Sequence, residues 1–242
     1  MTRNEQTIFR RYAHLYDRIY HWKDYAAEAA IVHSLLLNAG VQEGGCVVEA
    51  ACGTGNYLEQ LNAWYEVSGF DLNPATLEVA QSKLPQMEIF EADMANFDLD
   101  KPADAIVCLF SSIGYVSPGE KLRAVAESFY RNLNPGGVVL IDPWIEPAAA
   151  IDGHNGQHTY VSDDLKLCRA GIHRVDGRRS ILEFQWLVTT EHGIEHFVDD
   201  HTLWMTTRDE MAEVFQSAGF EATWNQEGVV PGRGALIATR RR

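Results

Sequence analysis

The chain has 242 residues, 46% hydrophobic and 22% charged, which suits one compact domain and excludes global disorder. Lys and Arg number 20 against 34 Asp and Glu, giving a net charge of −14. Because nucleic acids and anionic membranes attract clustered cations, this charge argues against both as general partners. No apolar run approaches the roughly 20 residues of a membrane span. No apolar signal core follows the first residues, so we expect a cytoplasmic protein.

Cysteine and histidine spacing gives no sign of a metal site. None of the four cysteines forms a CxxC pair, and three of them lie in apolar stretches, which predicts buried reduced thiols. Six histidines fall between residues 154 and 201 without ligand spacing, and we interpret them as turn or strand-surface residues. These six are His154, His158, His173, His192, His196 and His201. We therefore expect neither a metal nor a catalytic thiol.

The first forty residues are predicted to be helical. Residues 26–37 combine strong helix formers with an apolar face, and Gly40 is a plausible stop. Residues 12–25 are unusually rich in aromatic side chains. We interpret this stretch as a lid over a ligand, with simple packing of the rings on the core as the alternative.

From residue 45 onward, strand and helix patterns alternate, which is typical of a parallel sheet with helices on both faces. Asn73 and Pro74 predict a helix start, with Asn at the N-cap and Pro at the first helical position. The predicted strands cover residues 46–50, 66–71, 87–90, 103–110 and 138–141. The predicted helices cover residues 57–64 and 119–133, besides the one that starts at Pro74.

The pattern changes near Pro147. Between residues 159 and 205, runs that alternate polar and apolar residues predict an antiparallel insertion. The α/β pattern then resumes with a helix at residues 207–218 and strands at residues 220–224 and 235–239. We predict a single domain made of a lid (residues 1–40), a ligand-binding core (residues 41–146 and 206–242) and an insertion on the substrate side (residues 147–205).

The first predicted strand runs into a glycine-rich turn, Ala-Cys-Gly-Thr-Gly-Asn, at residues 51–56. Gly53 and Gly55 let the backbone approach a ligand, and the start of the following helix attracts a carboxylate or phosphate. Asp71 ends the second strand, where an acid accepts hydrogen bonds from both hydroxyls of a ribose. Asp93 follows the third strand, where its carboxylate could accept from an adenine amino group. These strand ends meet at one crevice, which predicts a nucleoside site.

Two ligands compete for this crevice. A dinucleotide fingerprint needs a small residue at position 58, where this chain has Leu58. That departure disfavours a nicotinamide-dependent dehydrogenase. S-adenosylmethionine has no pyrophosphate and does not require the small residue.

Four segments in chain order resemble the motifs of class I S-adenosylmethionine-dependent methyltransferases. They are residues 49–55 (EAACGTG), 69–74 (GFDLNP), 91–94 (EADM) and 133–137 (LNPGG). The resemblance implies an α/β fold: a Rossmann-like seven-stranded class I methyltransferase sheet, its last strand inserted antiparallel, with an antiparallel β insertion before the last helix. It also implies S-adenosyl-L-methionine as the methyl donor.

A narrower set of segments resembles the sugar N-methyltransferases of macrolide biosynthesis, which dimethylate the 3-amino group of a dTDP-linked deoxysugar. These segments are residues 15–18, 23–28, 110–114, 143–144 and 232–234. The resemblance implies that Tyr16 and Tyr25 bind the methionyl end of the donor from the lid, that Ala51 and Gly53 offer it backbone groups, that Asp71 holds the ribose, and that Asp93 and the Met94 backbone hold adenine.

Acceptor contacts are expected from Tyr20, Trp144, Arg169 and Arg233. Arginine suits bidentate contact with phosphate, although a surface ion pair is the alternative for each of the two. Tyr115, just past the fourth strand, is the candidate catalytic residue, which either orients an amine and relays its proton or only lines the pocket.

We therefore expect methyl transfer to an amine of a small molecule, for which a dTDP-linked aminosugar is one candidate acceptor. Another small amine, such as an amino acid, and a non-catalytic cofactor-binding protein remain alternatives. The resemblance also implies a homodimer.

Overall fold

The computed structural model describes residues 4–242. Its α-helices are α1 (Tyr16–Ile19), α2 (Tyr25–Asn38), α3 (Asn56–Leu61), α4 (Pro74–Lys83), α5 (Glu120–Arg131) and α6 (Arg208–Ser217). Its strands are β1 (Asn4–Glu5), β2 (Cys46–Ala50), β3 (Glu66–Asp71), β4 (Glu88–Glu91), β5 (Ala103–Cys108), β6 (Leu133–Ile141), β7 (Asn155–Val161), β8 (Lys166–Asp176), β9 (Arg179–Thr190), β10 (Gly193–Trp204), β11 (Phe220–Asn225) and β12 (Ala235–Arg240).

The main sheet has seven strands in the order β11-β12-β6-β5-β2-β3-β4. Strands β2 to β6 run parallel, whereas β12 pairs antiparallel with both β6 and β11. The predicted α/β fold class is confirmed, including the antiparallel last strand. The strands at residues 46–50 and 66–71 have the predicted bounds, and α3 ends earlier than predicted.

Side chains of the central strands alternate between the two faces of this sheet, and both faces are buried under helices. Val48 and Ile106 pack in one core with Phe129 of α5 and Phe215 of α6. Their neighbours on the strands point the other way, where Val47 and Val107 pack with residues of α2 and α3. A strand that is apolar on both faces must be covered by helices on both sides. Because helices cover both faces, a ligand can reach this sheet only at the ends of its strands. We call the carboxyl ends of β2, β3 and β5 the open edge of the main sheet.

A second sheet has the order β1-β10-β9-β8-β7, in which β7 to β10 form an antiparallel meander. This is the predicted antiparallel insertion, although β7 begins at Asn155, before the predicted start at residue 159. Its inner face carries Leu167, Trp186 and Val188, which pack against Ile8 and Ile19 near the N-terminus.

The first forty residues are less helical than predicted. Beyond β1, the chain forms two 3-10 turns, at Thr7–Phe9 and Ala13–Leu15, and the single turn of α1 before α2 begins. The reason is that the segment is held by the second sheet, since β1 pairs with β10 and the backbone N–H of Thr7 donates to Asp199. Residues 1–3, the start of the predicted lid, lie outside the described residues. No helix among residues 4–242 combines the length and hydropathy needed to cross a bilayer.

Candidate active site

A cavity of about 820 Å³ lies between the open edge of the main sheet, the N-terminal segment and the inner face of the second sheet. Every predicted site residue except Tyr25 lines it. Those residues are Tyr16, Tyr20, Ala51, Gly53, Asp71, Asp93, Met94, Tyr115, Trp144, Arg169 and Arg233. The volume lies in the upper part of the usual range for ligand pockets, so it has room for a donor beside an acceptor.

The glycine-rich turn forms the floor of the cavity. Ala51, Gly53 and Gly55 all have positive φ, at 59°, 54° and 79°. A Cβ on Gly55 would come within 2.9 Å of the Leu84 side chain, so this position has no space for a larger residue. A Cβ on Gly53 would meet no atom within 4 Å, because this glycine faces the open cavity. The turn therefore exposes backbone to a ligand at Gly53 and packs against α4 at Gly55.

Two acids stand at the ends of the neighbouring strands. Asp71 accepts hydrogen bonds from the backbone N–H groups of Gly53, at 2.9 Å, and Asn73, at 2.8 Å. Burial raises the pKa of the Asp71 carboxyl, and these backbone bonds oppose the rise. Asp93 is exposed and accepts from the backbone of Ala95. Both acids keep acceptor capacity toward the cavity.

The lid segment is fastened to the glycine-rich turn through Asp17. Its Oδ1 accepts from Thr54 Oγ1 at 2.6 Å and from Asn56 Nδ2 at 2.8 Å, and its Oδ2 lies 2.9 Å from Lys83 Nζ. Sequence reasoning missed this role, although Asp17 lies beside Tyr16 in a segment that carries the family resemblance. The Asp17 contacts hold the Tyr16 ring over the cavity.

Tyr25 lies beside the cavity instead of in it. As the first residue of α2, it packs edge-on against Tyr57, and its buried hydroxyl has no hydrogen-bond partner in the described part of the chain. Below it, Glu28 accepts from Lys23 and from the Tyr57 hydroxyl. Its contact with a donor stays a prediction.

Arg169 is buried, with 7% of its surface exposed, and it makes no ion pair among the described residues. Its Nη1 donates to the Tyr20 hydroxyl at 2.8 Å. Its guanidinium carbon lies 4.6 Å from the Phe184 ring centre and 5.6 Å from that of Trp186. The surface ion pair considered as the alternative is therefore wrong for this residue. The aromatic rings hold a cation at the cavity wall.

Arg233 occupies the loop between β11 and β12. Its Nη1 donates to Ser111 Oγ at 2.8 Å, and its guanidinium lies 4.8 Å from the Trp144 ring centre. No carboxylate within the described residues forms an ion pair with it, so the ion-pair alternative is wrong here as well. The Trp144 indole N–H donates to Ser180, which leaves the Trp144 ring as the cavity surface.

Tyr115 connects to His201, one of the six histidines interpreted from the sequence as turn or strand-surface residues. Its hydroxyl lies 2.7 Å from Nδ1 of His201, and Nε2 of His201 lies 2.9 Å from Oδ2 of Asp199. His201 and His173 are both buried, so their interpretation as turn or surface histidines is wrong. Strand alternation gave a signal for His201, since it follows Asp199 by two residues and shares its face of β10.

The cysteines have no role in this cavity. All four are free, Cys52 and Cys108 are buried, and burial raises the pKa of both thiols. Among residues 4–242, no group of three potential metal ligands is gathered.

Comparison with known proteins agrees with this arrangement. Residues 47–137 match the model of a methyltransferase domain family. The chain is 32% identical to dTDP-4-amino-2,3,4,6-tetradeoxy-D-glucose N,N-dimethyltransferase of Saccharopolyspora spinosa, over 95% of this chain and 92% of that protein. The crystal structure of DesVI from Streptomyces venezuelae superimposes with a TM-score of 0.88 at 30% identity and covers 95% and 98% of the two chains. The S-adenosylmethionine-bound structure of an amino pentose methyltransferase from Micromonospora echinaspora gives a TM-score of 0.83 at 32% identity, over 98% and 99%.

The chain belongs to the class I S-adenosylmethionine-dependent methyltransferases, in the family that includes the dTDP-aminosugar N,N-dimethyltransferases. It is an enzyme, and S-adenosyl-L-methionine is its methyl donor. The predicted family, enzyme class and cofactor are confirmed, and the dehydrogenase and non-catalytic alternatives are excluded. The open backbone at Gly53 and the acceptor groups of Asp71 and Asp93 fit such a nucleoside.

Proposed function

We propose that this enzyme methylates the amino group of a nucleotide-linked aminosugar and that Arg169 and Arg233 bind the diphosphate of that acceptor. The observation that carries the proposal is a pair of guanidinium groups that form no ion pair in the described residues, although Asp142 lies near Arg233, and that both line one cavity of a protein with a net charge of −14. Arg169 is buried, and a buried cation without an ion pair is costly, whereas Arg233 is only partly buried. An anionic ligand removes that cost and accepts several hydrogen bonds from each guanidinium.

The relatives support the same substrate class. The Saccharopolyspora spinosa protein and a protein of Streptomyces venezuelae, 31% identical to this chain over 93% of its length, are both named as dTDP-aminosugar N,N-dimethyltransferases. Their acceptors combine an amine, a sugar ring and a diphosphate. In this chain, aromatic rings offer apolar surface beside each arginine: Tyr20 and Phe184 beside Arg169, and Trp144 beside Arg233.

Within the proposal, the donor lies along the edge of the main sheet. Asp71 accepts from the ribose hydroxyls, Asp93 and the Met94 backbone hold adenine, and Ala51 and Gly53 face the methionyl end. Tyr16 covers that end from the lid, and Tyr25 supports the lid from beneath. When bound, S-adenosylmethionine supplies a methyl group already activated on a sulfonium. The remaining task of the chain is to align a neutral amine behind this methyl group and to exclude water.

Turnover with a panel of acceptors tests the substrate class. We expect S-adenosylhomocysteine and a product heavier by one or two methyl groups with a dTDP-aminosugar, and no turnover with free amino acids. Turnover with an amino acid but with no nucleotide-sugar would overturn the proposal. If dTDP competes with the nucleotide-sugar acceptor and thymidine does not, the phosphates of the acceptor supply its affinity.

The arginines are tested by Arg169→Ala and Arg233→Ala, with Arg174→Ala as the matched control because Arg174 lies on the same strand as Arg169 but is exposed. Hydrogen bonds to charged groups contribute roughly 1.5–3 kcal/mol. We therefore expect each of the first two variants to raise KM for the nucleotide-sugar by about 10- to 100-fold and to leave the donor Kd unchanged. Equal KM values in all three variants would remove the arginines from the acceptor site.

The oligomeric state belongs to the predictions as well. We propose a homodimer on the basis of the family resemblance, and sedimentation of the purified protein decides it. A monomer at micromolar concentration would contradict this prediction.

A further inference from the structure

Methylation of an amine requires that the amine lose its proton before it attacks the methyl group. An aliphatic amine is largely protonated near neutral pH, and a protonated nitrogen has no lone pair to attack a methyl group. Either the amine enters without its proton or a group in the cavity accepts it. Tyr115 lines the cavity, but burial raises the pKa of its hydroxyl well above the usual value. Tyr115 alone is therefore a poor base.

The hydrogen bonds behind Tyr115 have a defined direction. Asp199 is fully buried, and its two oxygens accept from the backbone N–H of Thr7 at 2.6 Å and of Ile8 at 3.4 Å, so the carboxylate acts as an acceptor. The Nε2 atom of His201, 2.9 Å from the same carboxylate, must then carry a proton and donate. This leaves Nδ1 of a neutral His201 as an acceptor for the Tyr115 hydroxyl, 2.7 Å away.

Aromatic rings enclose the pair. Phe9 lies 5.2 Å from the His201 ring and 6.0 Å from the Tyr115 ring, and Phe184 lies 5.7 Å from the His201 ring. Both contacts to His201 are edge-on. The histidine is 4% exposed, so water has little access to its ring. The two polar neighbours of the imidazole are Tyr115 on one nitrogen and Asp199 on the other.

We propose that Tyr115, His201 and Asp199 form a proton relay that deprotonates the acceptor amine. This inference rests on the proposed amine substrate. Tyr115 is the catalytic residue because it faces the cavity, and His201 and Asp199 act through it as positioning residues.

The relay balances atoms and charge. The Tyr115 oxygen accepts a proton from the substrate ammonium as the Tyr115 proton moves to Nδ1 of His201. The positive charge thereby moves from the amine to the imidazole, where the Asp199 carboxylate compensates it. The amine nitrogen then forms its bond to the methyl carbon while the carbon–sulfur bond breaks, and that electron pair stays on sulfur. Tyr115 never accumulates as tyrosinate, which agrees with its raised pKa.

Other titratable groups face the pair. Asp71, Tyr16 and Tyr20 lie near Tyr115 on the cavity side. Asp200 and its register partner Glu183 belong to the opposite face of the second sheet, because side chains alternate along a strand. A pH dependence that belongs to the relay must therefore disappear when His201 itself is changed.

The first experiment reads the tautomer of His201 in the holoenzyme. Long-range nitrogen–proton NMR should show a proton on Nε2 and none on Nδ1, and Tyr115→Phe should shift the Nδ1 resonance. A proton on Nδ1 in the neutral ring would overturn the relay, whatever the acceptor of the enzyme is. This readout keeps failure of the relay separate from failure of the proposed substrate.

The second experiment uses His201→Asn, whose side-chain oxygen can still accept from Tyr115 but cannot take a proton. We expect kcat to fall about 100-fold near neutral pH, the usual lower range for acid–base catalysis, with donor Kd and acceptor KM within about twofold of wild type. Tyr115→Phe should lower kcat similarly, and the double variant should be no slower than either single one. The deficit should shrink as the pH rises, because the amine then arrives without its proton.

His196→Asn is the matched control, since His196 is an exposed histidine on the same strand. It should keep wild-type kinetics. Wild-type kcat in His201→Asn, or a deficit that stays constant with pH, would overturn the relay. A lower melting temperature with loss of donor binding would assign His201 a structural role instead, which also contradicts the proposal.

Discussion

The two sheets serve the cavity in different ways. The main sheet presents turns and strand ends, where Gly53 exposes its backbone and Asp71 fixes that turn through the Gly53 N–H. The second sheet presents side chains from the middle of its strands, where register sets Arg169 opposite Trp186 and Asp199 opposite Phe184. A turn bound by several backbone contacts tolerates little change. Side chains on a flat sheet face are replaceable one by one, so the second sheet is the region suited to setting acceptor specificity.

The largest expected effect lies in the main-sheet region, at Asp142, which directly follows β6. Neither of its carboxylate oxygens has a hydrogen-bond partner within residues 4–242, and burial raises the pKa of Asp142 to about 6, although the nearby Arg233 opposes the rise. An acid with a raised pKa destabilises the fold once it ionises. That cost is absent below about pH 4, grows between pH 4 and 6, and is complete above pH 6.

We therefore expect Asp142→Asn to raise the free energy of unfolding by about 3 kcal/mol at pH 8, and to change it little at pH 4. Thermal unfolding of both proteins across this range measures the difference. Asp100→Asn, at an exposed carboxyl, is the control and should show no such trend. If the difference in melting temperature between Asp142→Asn and wild type stays constant with pH, ionisation of Asp142 does not destabilise the fold.

Asp71→Ala tests the contribution of the main sheet to donor binding, separately from acceptor binding by the second sheet. Loss of a charged acceptor for two hydroxyls should weaken donor binding by about 2 kcal/mol, measured by calorimetry, with acceptor KM unchanged. Because Asp71 also accepts from Gly53 and Asn73, Asp71→Asn, which keeps one acceptor oxygen, should recover part of the loss. If donor affinity stays at the wild-type value, Asp71 does not hold the ribose.

The same contrast explains which parts were predictable from the sequence. The part of the site formed by the main sheet was predictable from local sequence patterns. An apolar run, a glycine-rich turn and an acid at a strand end are visible within a few residues of one another. Strand alternation places Asp199 and His201 on one face of β10 but does not indicate their partners Thr7 and Tyr115, which lie 192 and 86 residues away. The N-terminal segment was predicted as helical for a related reason. Its conformation depends on pairing with β10, which propensity cannot indicate.

A smaller effect is expected at Asp17, which joins the lid to the glycine-rich turn. Asp17→Asn keeps an acceptor for Thr54 but loses the ion pair with Lys83. The two side chains are 33% and 26% exposed, so solvent weakens the pair. We expect donor affinity to fall by about 1 kcal/mol, and amide exchange in residues 7–20 to accelerate. Unchanged exchange in this segment would show that the lid is held by its aromatic packing alone.

The smallest expected effect concerns the contact between the second sheet and α6. Arg178, in the turn between β8 and β9, donates to Glu210, which also closes the capping box with Thr207 at the start of α6. Hydrogen bonds from Arg178 lower the pKa of Glu210 to about 2. A lowered carboxyl pKa adds stability that is complete above the unfolded value of about 4.3 and is lost as the pH falls toward 2. Because the two side chains are 38% and 43% exposed, screening by solvent leaves roughly 0.5–1 kcal/mol.

Glu210→Gln should therefore lower the melting temperature slightly at pH 7, and its difference from wild type should shrink below pH 4. The side-chain oxygen in Glu210→Gln can still accept from the Thr207 backbone N–H. Thr207→Ala in the otherwise wild-type protein therefore separates the helix cap from the ion pair. If Arg178→Ala reproduces the whole effect of Glu210→Gln, the ion pair between the two regions carries it. If Thr207→Ala does so instead, the contribution belongs to α6 alone, and the second sheet rests on the main sheet through its apolar contacts.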